Sequence, residues 1–88
     1  MPTVKLFASL RKFAGTKELS IIGATVGGVL LELTRQNPLL GTAILDGGNL
    51  RPHVVITLNG RNVIDLNDSV NEQDVIAIFP PIAGGQGE

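Results

Sequence analysis

The 88-residue chain predicts an α+β domain, in which a mixed, mainly antiparallel sheet packs one face on a single main helix. Three observations carry the prediction. Apolar residues alternate with others from Thr3 to Leu10, and an apolar run fills Val75 to Phe79; both are strand patterns. One helical stripe, Val26, Val29, Leu30 and Leu33, follows a capping threonine. Asn59-Gly60, set between two β-rich segments, is a strong short-range hairpin signal.

Along the first strand Val4, Leu6, Ala8 and Leu10 share one side, while Lys5, Phe7 and Ser9 share the other. Phe7 is therefore either partly exposed or covered by another molecule. Arg11 to Gly15 reads as a turn, and Glu18 to Ile22 as a strand pairing back on the first. Thr25 is the expected N-cap of the main helix. Gly27 and Gly28 each cost that helix about 1 kcal/mol relative to Ala, which close contact with the sheet explains. The helix should stop near Asn37, because Pro38 excludes helical geometry at the residue before it. A further short helical turn is expected within Leu39 to Leu45.

Asp46-Gly-Gly-Asn49 has loop chemistry, and His53 to Leu58 is β-rich, with His53 expected on a strand face. Val63-Ile64 should lie on the strand returning from Asn59-Gly60, and Ser69 to Asp74 forms a polar connection. In the last strand Ile76 and Ile78 face one way and Val75, Ala77 and Phe79 the other. Pro80-Pro81 ends it by removing two backbone donors. The order is β-β-α-β-β-β. One domain over residues 1–82 and a flexible tail over residues 83–88 are expected, since the tail has little side-chain surface to bury and much entropy to lose. Taken alone, that composition is also what a frayed terminus looks like.

Composition removes several function classes. A domain of this size buries only roughly 60–65% of its unfolded surface, so it depends on its aliphatic core. There is no Cys, hence no disulfide, iron–sulfur cluster, thiolate metal site or cysteine nucleophile. The single histidine, His53, lacks partners for a triad or a metal cluster. The glycines of Gly23 to Gly28 have P-loop-like spacing without the Lys-Ser/Thr pair that engages phosphate and magnesium. Asp65, Asp68, Glu72 and Asp74 do not alternate as calcium-loop ligands do. A net charge of −1 argues against nucleic-acid or membrane-surface binding, and no apolar run reaches the roughly 18 residues of a span. A cytoplasmic protein is expected. Charge is unevenly spread: basic residues prevail up to Arg35 and acidic residues after it, an asymmetry that can orient a protein partner.

What remains is Phe79-Pro-Pro-Ile-Ala-Gly-Gly85. A strand ending in Phe-Pro-Pro, a small apolar spacer and Gly-Gly resembles the C-terminus of the MoaD/ThiS family of sulfur carriers and of related ubiquitin-like modifiers. Val4-Lys-Leu-Phe-Ala-Ser-Leu-Arg-Lys-Phe-Ala-Gly15 is similar to that family's opening strand and turn, Ala24-Thr-Val-Gly27 to its helix start, and Leu58-Asn-Gly-Arg61 to its hairpin. Four fragments in the right order cover nearly the whole chain.

The resemblance implies a ubiquitin-like β-grasp fold and a protein that is a substrate for enzymes rather than an enzyme, with no catalytic residue, metal or bound cofactor. A partner adenylating enzyme, using ATP and magnesium, would activate the carboxylate of Gly85. Gly84 gives access, because residues without a Cβ pass a narrow channel in extended form. The activated acyl group becomes a thiocarboxylate that supplies a sulfur-accepting synthase, as in molybdopterin biosynthesis, or an amide on a lysine if the chain is a protein modifier. A non-covalent interaction domain with an inert tail is the third reading. Phe7 and Phe79 are the expected docking residues for the activating enzyme.

Two departures from the family pattern stand out. Family chains usually stop at Gly-Gly, whereas Gln86, Gly87 and Glu88 follow here, so trimming by a protease such as a metalloprotease is expected. Glu72-Gln-Asp74 replaces the family's common Asp-Gly-Asp, so that Gln73 takes a positive φ or the turn differs.

Overall fold

A computed structural model describes residues 1–63 and 65–81. Seven strands and three helices follow in the order β1 (Thr3–Leu6), α1 (Leu10–Ala14), β2 (Glu18–Ser20), α2 (Val26–Gln36), α3 (Pro38–Ile44), β3 (Leu45–Asp46), β4 (Asn49–Leu50), β5 (Val55–Leu58), β6 (Arg61–Asn62) and β7 (Val75–Phe79). Five strands make one sheet in the order β2-β1-β7-β5-β6. Its centre is a parallel pair, β1 with β7, and every other pairing in it is antiparallel. This is the mixed, mainly antiparallel sheet that the alternation predicted, with Val75–Phe79 at its centre.

The alternation also settles which face is closed. Val4, Leu6, Ile76 and Ile78 are wholly buried together with Val26 and Val29 of α2 and Leu40 of α3. Burying each such side chain contributes about 1.5–3 kcal/mol, which at this size must offset most of the chain entropy.

Helix α2 begins where Thr25 predicts, its Oγ1 accepting the Gly28 N–H at 3.0 Å. The neighbour of the first-turn glycines is not the sheet. The Gly27 N–H donates to Leu66 O at 2.7 Å, and a Cβ on Gly27 would lie 3.2 Å from that oxygen. A loop backbone therefore crosses the helix start. Asn37 ends α2 and starts α3: its N–H donates to Leu33 O, and its Oδ1 accepts from the Leu40 N–H ahead of Pro38 at the first helical turn. The short helical turn expected within Leu39 to Leu45 is thus the seven-residue α3.

Several expectations are corrected. The first strand stops at Leu6, since Ala8 takes a left-handed conformation (φ 52°), and Arg11 to Gly15 is not a turn but most of helix α1. Leu10 reaches the core from that helix instead of from a strand. Gly15 (φ 71°) closes it with an N–H bond to Arg11 O at 2.9 Å. The second strand is Glu18–Ser20, shorter than expected, although the Ile21 N–H still reaches Pro2 O. The loop at Asp46 to Asn49 is the turn of a two-stranded ribbon, β3 with β4, with Gly47 and Gly48 both at positive φ. His53 is not on a strand face; it is an exposed residue at φ 68° in the turn before β5.

The Asn59-Gly60 hairpin stands, both residues at positive φ, but the returning strand is Arg61–Asn62. Val63 lies just past it, its N–H bonded to Ile56 O, and Ile64 is outside the described residues. Gln73 does not take a positive φ. The turn differs because the Asp74 carboxylate closes it, accepting from the Asn71 N–H at 2.8 Å and from Asn59 Nδ2 at 2.9 Å. Those bonds, the Asn71 one foremost, hold the Asp74 pKa below its ordinary value. Among the described residues no helix is long and apolar enough to cross a membrane.

Candidate docking face and tail root

The sheet buries one face and leaves the other uncovered. On the uncovered face the register sets Lys5 beside Ala77 and Glu18, Phe79 beside Val55, and Thr57 beside Ala77 and Asn62. At the end of this face where β1 and β7 finish, Phe7 and Phe79 stack, ring centroids 4.4 Å apart and planes 16° from parallel. Offset aromatic pairs at this spacing gain roughly 0.5–1.5 kcal/mol beyond their burial. Both residues are half-buried, and the two aromatics predicted from alternation form one apolar platform.

The platform walls a groove of about 720 Å³, lined also by Val55, Thr57, Asn62, His53, Pro80 and Pro81. No Lys, Arg, Asp or Glu is in the lining, and Val55 is 44% exposed. An apolar patch of this kind, rimmed by polar residues, is the chemistry of a protein docking surface. Val55 and Thr57 went unassigned in the sequence reading. Their signal was available, since Val54, Ile56 and Leu58 alternate with them and turn inward.

One flank is basic. Arg11 stands over Phe7 with its guanidinium carbon 5.6 Å from the ring centroid, and its Nε donates to Leu6 O at 2.9 Å. Lys5, Lys17 and Glu18 line the same small cleft. Phe13, the third aromatic, is 42% exposed on α1 and takes no part in the stack.

Strand β7 delivers the chain directly from the platform into Pro80-Pro81, the last described residues. Gly84 and Gly85, the expected access and attachment residues, lie outside the described residues, as do Ile82 and the rest of the tail. Among the described residues no group of three His, Cys, Asp or Glu side chains is placed to hold a metal ion. The site is thus a platform at the root of a Gly-Gly tail.

Known proteins similar to this chain match it over nearly its whole length. The family model described as the ThiS family matches residues 4–85. Small archaeal modifier protein 3 of Haloferax volcanii is 33% identical over 88 aligned positions, covering 93% of this chain and 96% of the relative. The solution structure of small archaeal modifier protein 1 from Methanosarcina acetivorans superposes with a TM-score of 0.87 at 38% identity, over 96% of this chain and 95% of that one. A Pyrococcus furiosus protein assigned as subunit 1 of molybdopterin converting factor gives a TM-score of 0.74 at 28% identity, over 92% of this chain and 97% of that one.

Proposed function

The chain belongs to the ThiS family of ubiquitin-like carriers and modifiers, and from that premise we propose that it is a sulfur carrier whose reactive group is the carboxylate of Gly85. The carrying observation is the join between the Phe7–Phe79 platform and the tail: the surface an enzyme would grip lies where the chain leaves the fold. The family match also runs as far as Gly85.

The chemistry assigns the work to the partners. Gly85 is followed by Gln86, so its carboxylate is held in a peptide bond until a protease releases it. An adenylating enzyme then uses ATP and magnesium to join that carboxylate to the α-phosphate, with pyrophosphate leaving. Gly84 lets the extended backbone enter a narrow channel. Attack by a sulfur donor expels AMP and leaves a thiocarboxylate, which passes sulfur to a synthase such as that of molybdopterin biosynthesis. This chain supplies recognition and the acyl group; it needs no resident cofactor.

The modifier reading has its own support, since two relatives, 33% and 34% identical, are named small archaeal modifier proteins. In that case an amine of a target lysine attacks the same adenylate. Incubating a chain ending at Gly85 with ATP, magnesium, the host's adenylating enzyme and a sulfide source separates the two. A carrier gains about 16 Da, one oxygen exchanged for sulfur, with no Cys to take up sulfur elsewhere. Lysine conjugates in cells with no trapped thiocarboxylate would overturn the carrier in favour of the modifier.

A further inference from the structure

The apolar platform has a charged flank that the docking reading leaves without a role. The one ion pair among the described residues is Arg35 with Glu32, on α2. Lys5, Arg11 and Lys17 therefore have no carboxylate of the described residues within ion-pair distance, although they gather in one cleft beside Phe7 and share it with a single acid, Glu18. Cations left unpaired beside an uncovered apolar face raise the potential there.

Arg11 differs from the lysines in being held. Its Nε is bonded to Leu6 O and its guanidinium lies over Phe7, so the side chain is fixed from two directions. Among the described residues its two terminal nitrogens bond no protein acceptor. An arginine fixed through Nε presents those nitrogens end-on, a fork that fits the two oxygens of a carboxylate. Little rotamer entropy remains to be lost when the carboxylate arrives.

We infer that Arg11 is a partner-specificity residue: it receives an acidic side chain of the protein that docks on the Phe7–Phe79 platform, and that partner carries further acidic groups facing Lys5 and Lys17. The inference rests on the docking reading given above and adds to it the charge of the partner. The partner surface is an apolar seat with an acidic rim on one side. The acidic residues of this chain that adjoin β7, Glu72 and Asp74, are at the far end of that strand from Phe79, so such a rim meets cations at the Phe79 end and, at the other, two carboxylates with Arg61 near Asp74. That opposition favours one orientation of docking.

The test is the affinity of the full 88-residue chain for the host's purified adenylating enzyme, measured without nucleotide at several salt concentrations. Arg11→Gln should weaken binding about tenfold and flatten the salt dependence, and Arg11→Lys should recover only part of it because the fork is lost. Lys17→Gln, which breaks no backbone bond, should weaken binding about twofold to threefold, and Lys12→Gln, outside the cleft, should leave it within about twofold. Binding is counted per folded molecule, since Arg11 also ties α1 to β1. Unchanged affinity and salt slope in both Arg11→Gln and Lys17→Gln overturn the inference. A loss seen only when ATP is present also overturns it, because the anion is then a nucleotide phosphate. Phe79→Ser separates the layers: if it weakens binding while the charge variants do not, the platform stands without its acidic rim, and if none of them has an effect both readings fall.

Discussion

The two faces of the central sheet are written by alternate residues of the same strands, yet they have opposite fates. Val4, Leu6, Ile76 and Ile78 are fully buried against the helices, while Lys5, Phe7, Val75, Ala77 and Phe79 stand on the face that no helix among the described residues covers. A face meant only for water would be polar, as half-covered antiparallel sheets usually are. Here it is polar at Thr3 and Lys5 and becomes apolar towards Phe7 and Phe79, where the chain leaves the sheet. The departure from simple alternation coincides with the end of the face proposed to dock a partner.

The contrast can be broken most severely from the closed side. Ile78→Ala should cost about 3 kcal/mol of stability, since an isoleucine with no exposed surface leaves a cavity its neighbours fill only in part. Chemical denaturation reads that loss, and affinity for the adenylating enzyme per folded molecule should not change. Phe79→Ser reverses the pattern. It should weaken binding by about 2 kcal/mol, as aromatic anchors at interfaces do, with a smaller fall in melting temperature from the lost stack. A collapse in melting with binding intact would make Phe79 a core residue.

Two smaller effects sharpen the comparison at the edges. Ala8 lines the groove in a left-handed conformation that costs an alanine about 1 kcal/mol, so Ala8→Gly should raise stability by up to that amount in urea denaturation. Asp74, at the end of the sheet away from the platform, titrates below its ordinary pKa of 3.8. A depressed carboxylate adds stability that is complete above the unfolded-state value and is lost as pH falls through the folded-state value. Melting measured from pH 6 downward should therefore fall below about pH 4, and Asp74→Asn should show less of that fall.

The sequence was most legible where one residue has one local job. Thr25 caps, Pro38 stops a helix, Asn59-Gly60 turns a hairpin and Ile76 and Ile78 alternate inward, and each is found as expected. Legibility failed where the cause is non-local or the segment is short. Helix α1 has five residues, too few for a periodic stripe, and it exists because Ala8 bends the chain and Leu10 finds the core. His53 lies in a β-rich run, yet the strand starts only at Val55. Gln73 avoids a left-handed conformation because the Asp74 carboxylate closes the turn, accepting from the Asn71 N–H and from Asn59 Nδ2, fifteen residues away. The Phe7–Phe79 pairing was foreseen as a shared face, but the basic cleft around Arg11 depends on α1 and so could not be read from the strand pattern.

The central proposal is that Gly85 is the residue an adenylating enzyme activates. The most direct measurement is pyrophosphate exchange into ATP by the host's adenylating enzyme, with the chain ending at Gly85 set beside the chain ending at Glu88. Exchange with the first and none with the second is the predicted result. Equal exchange with both chains, or none with either from an enzyme shown to be active, would contradict it.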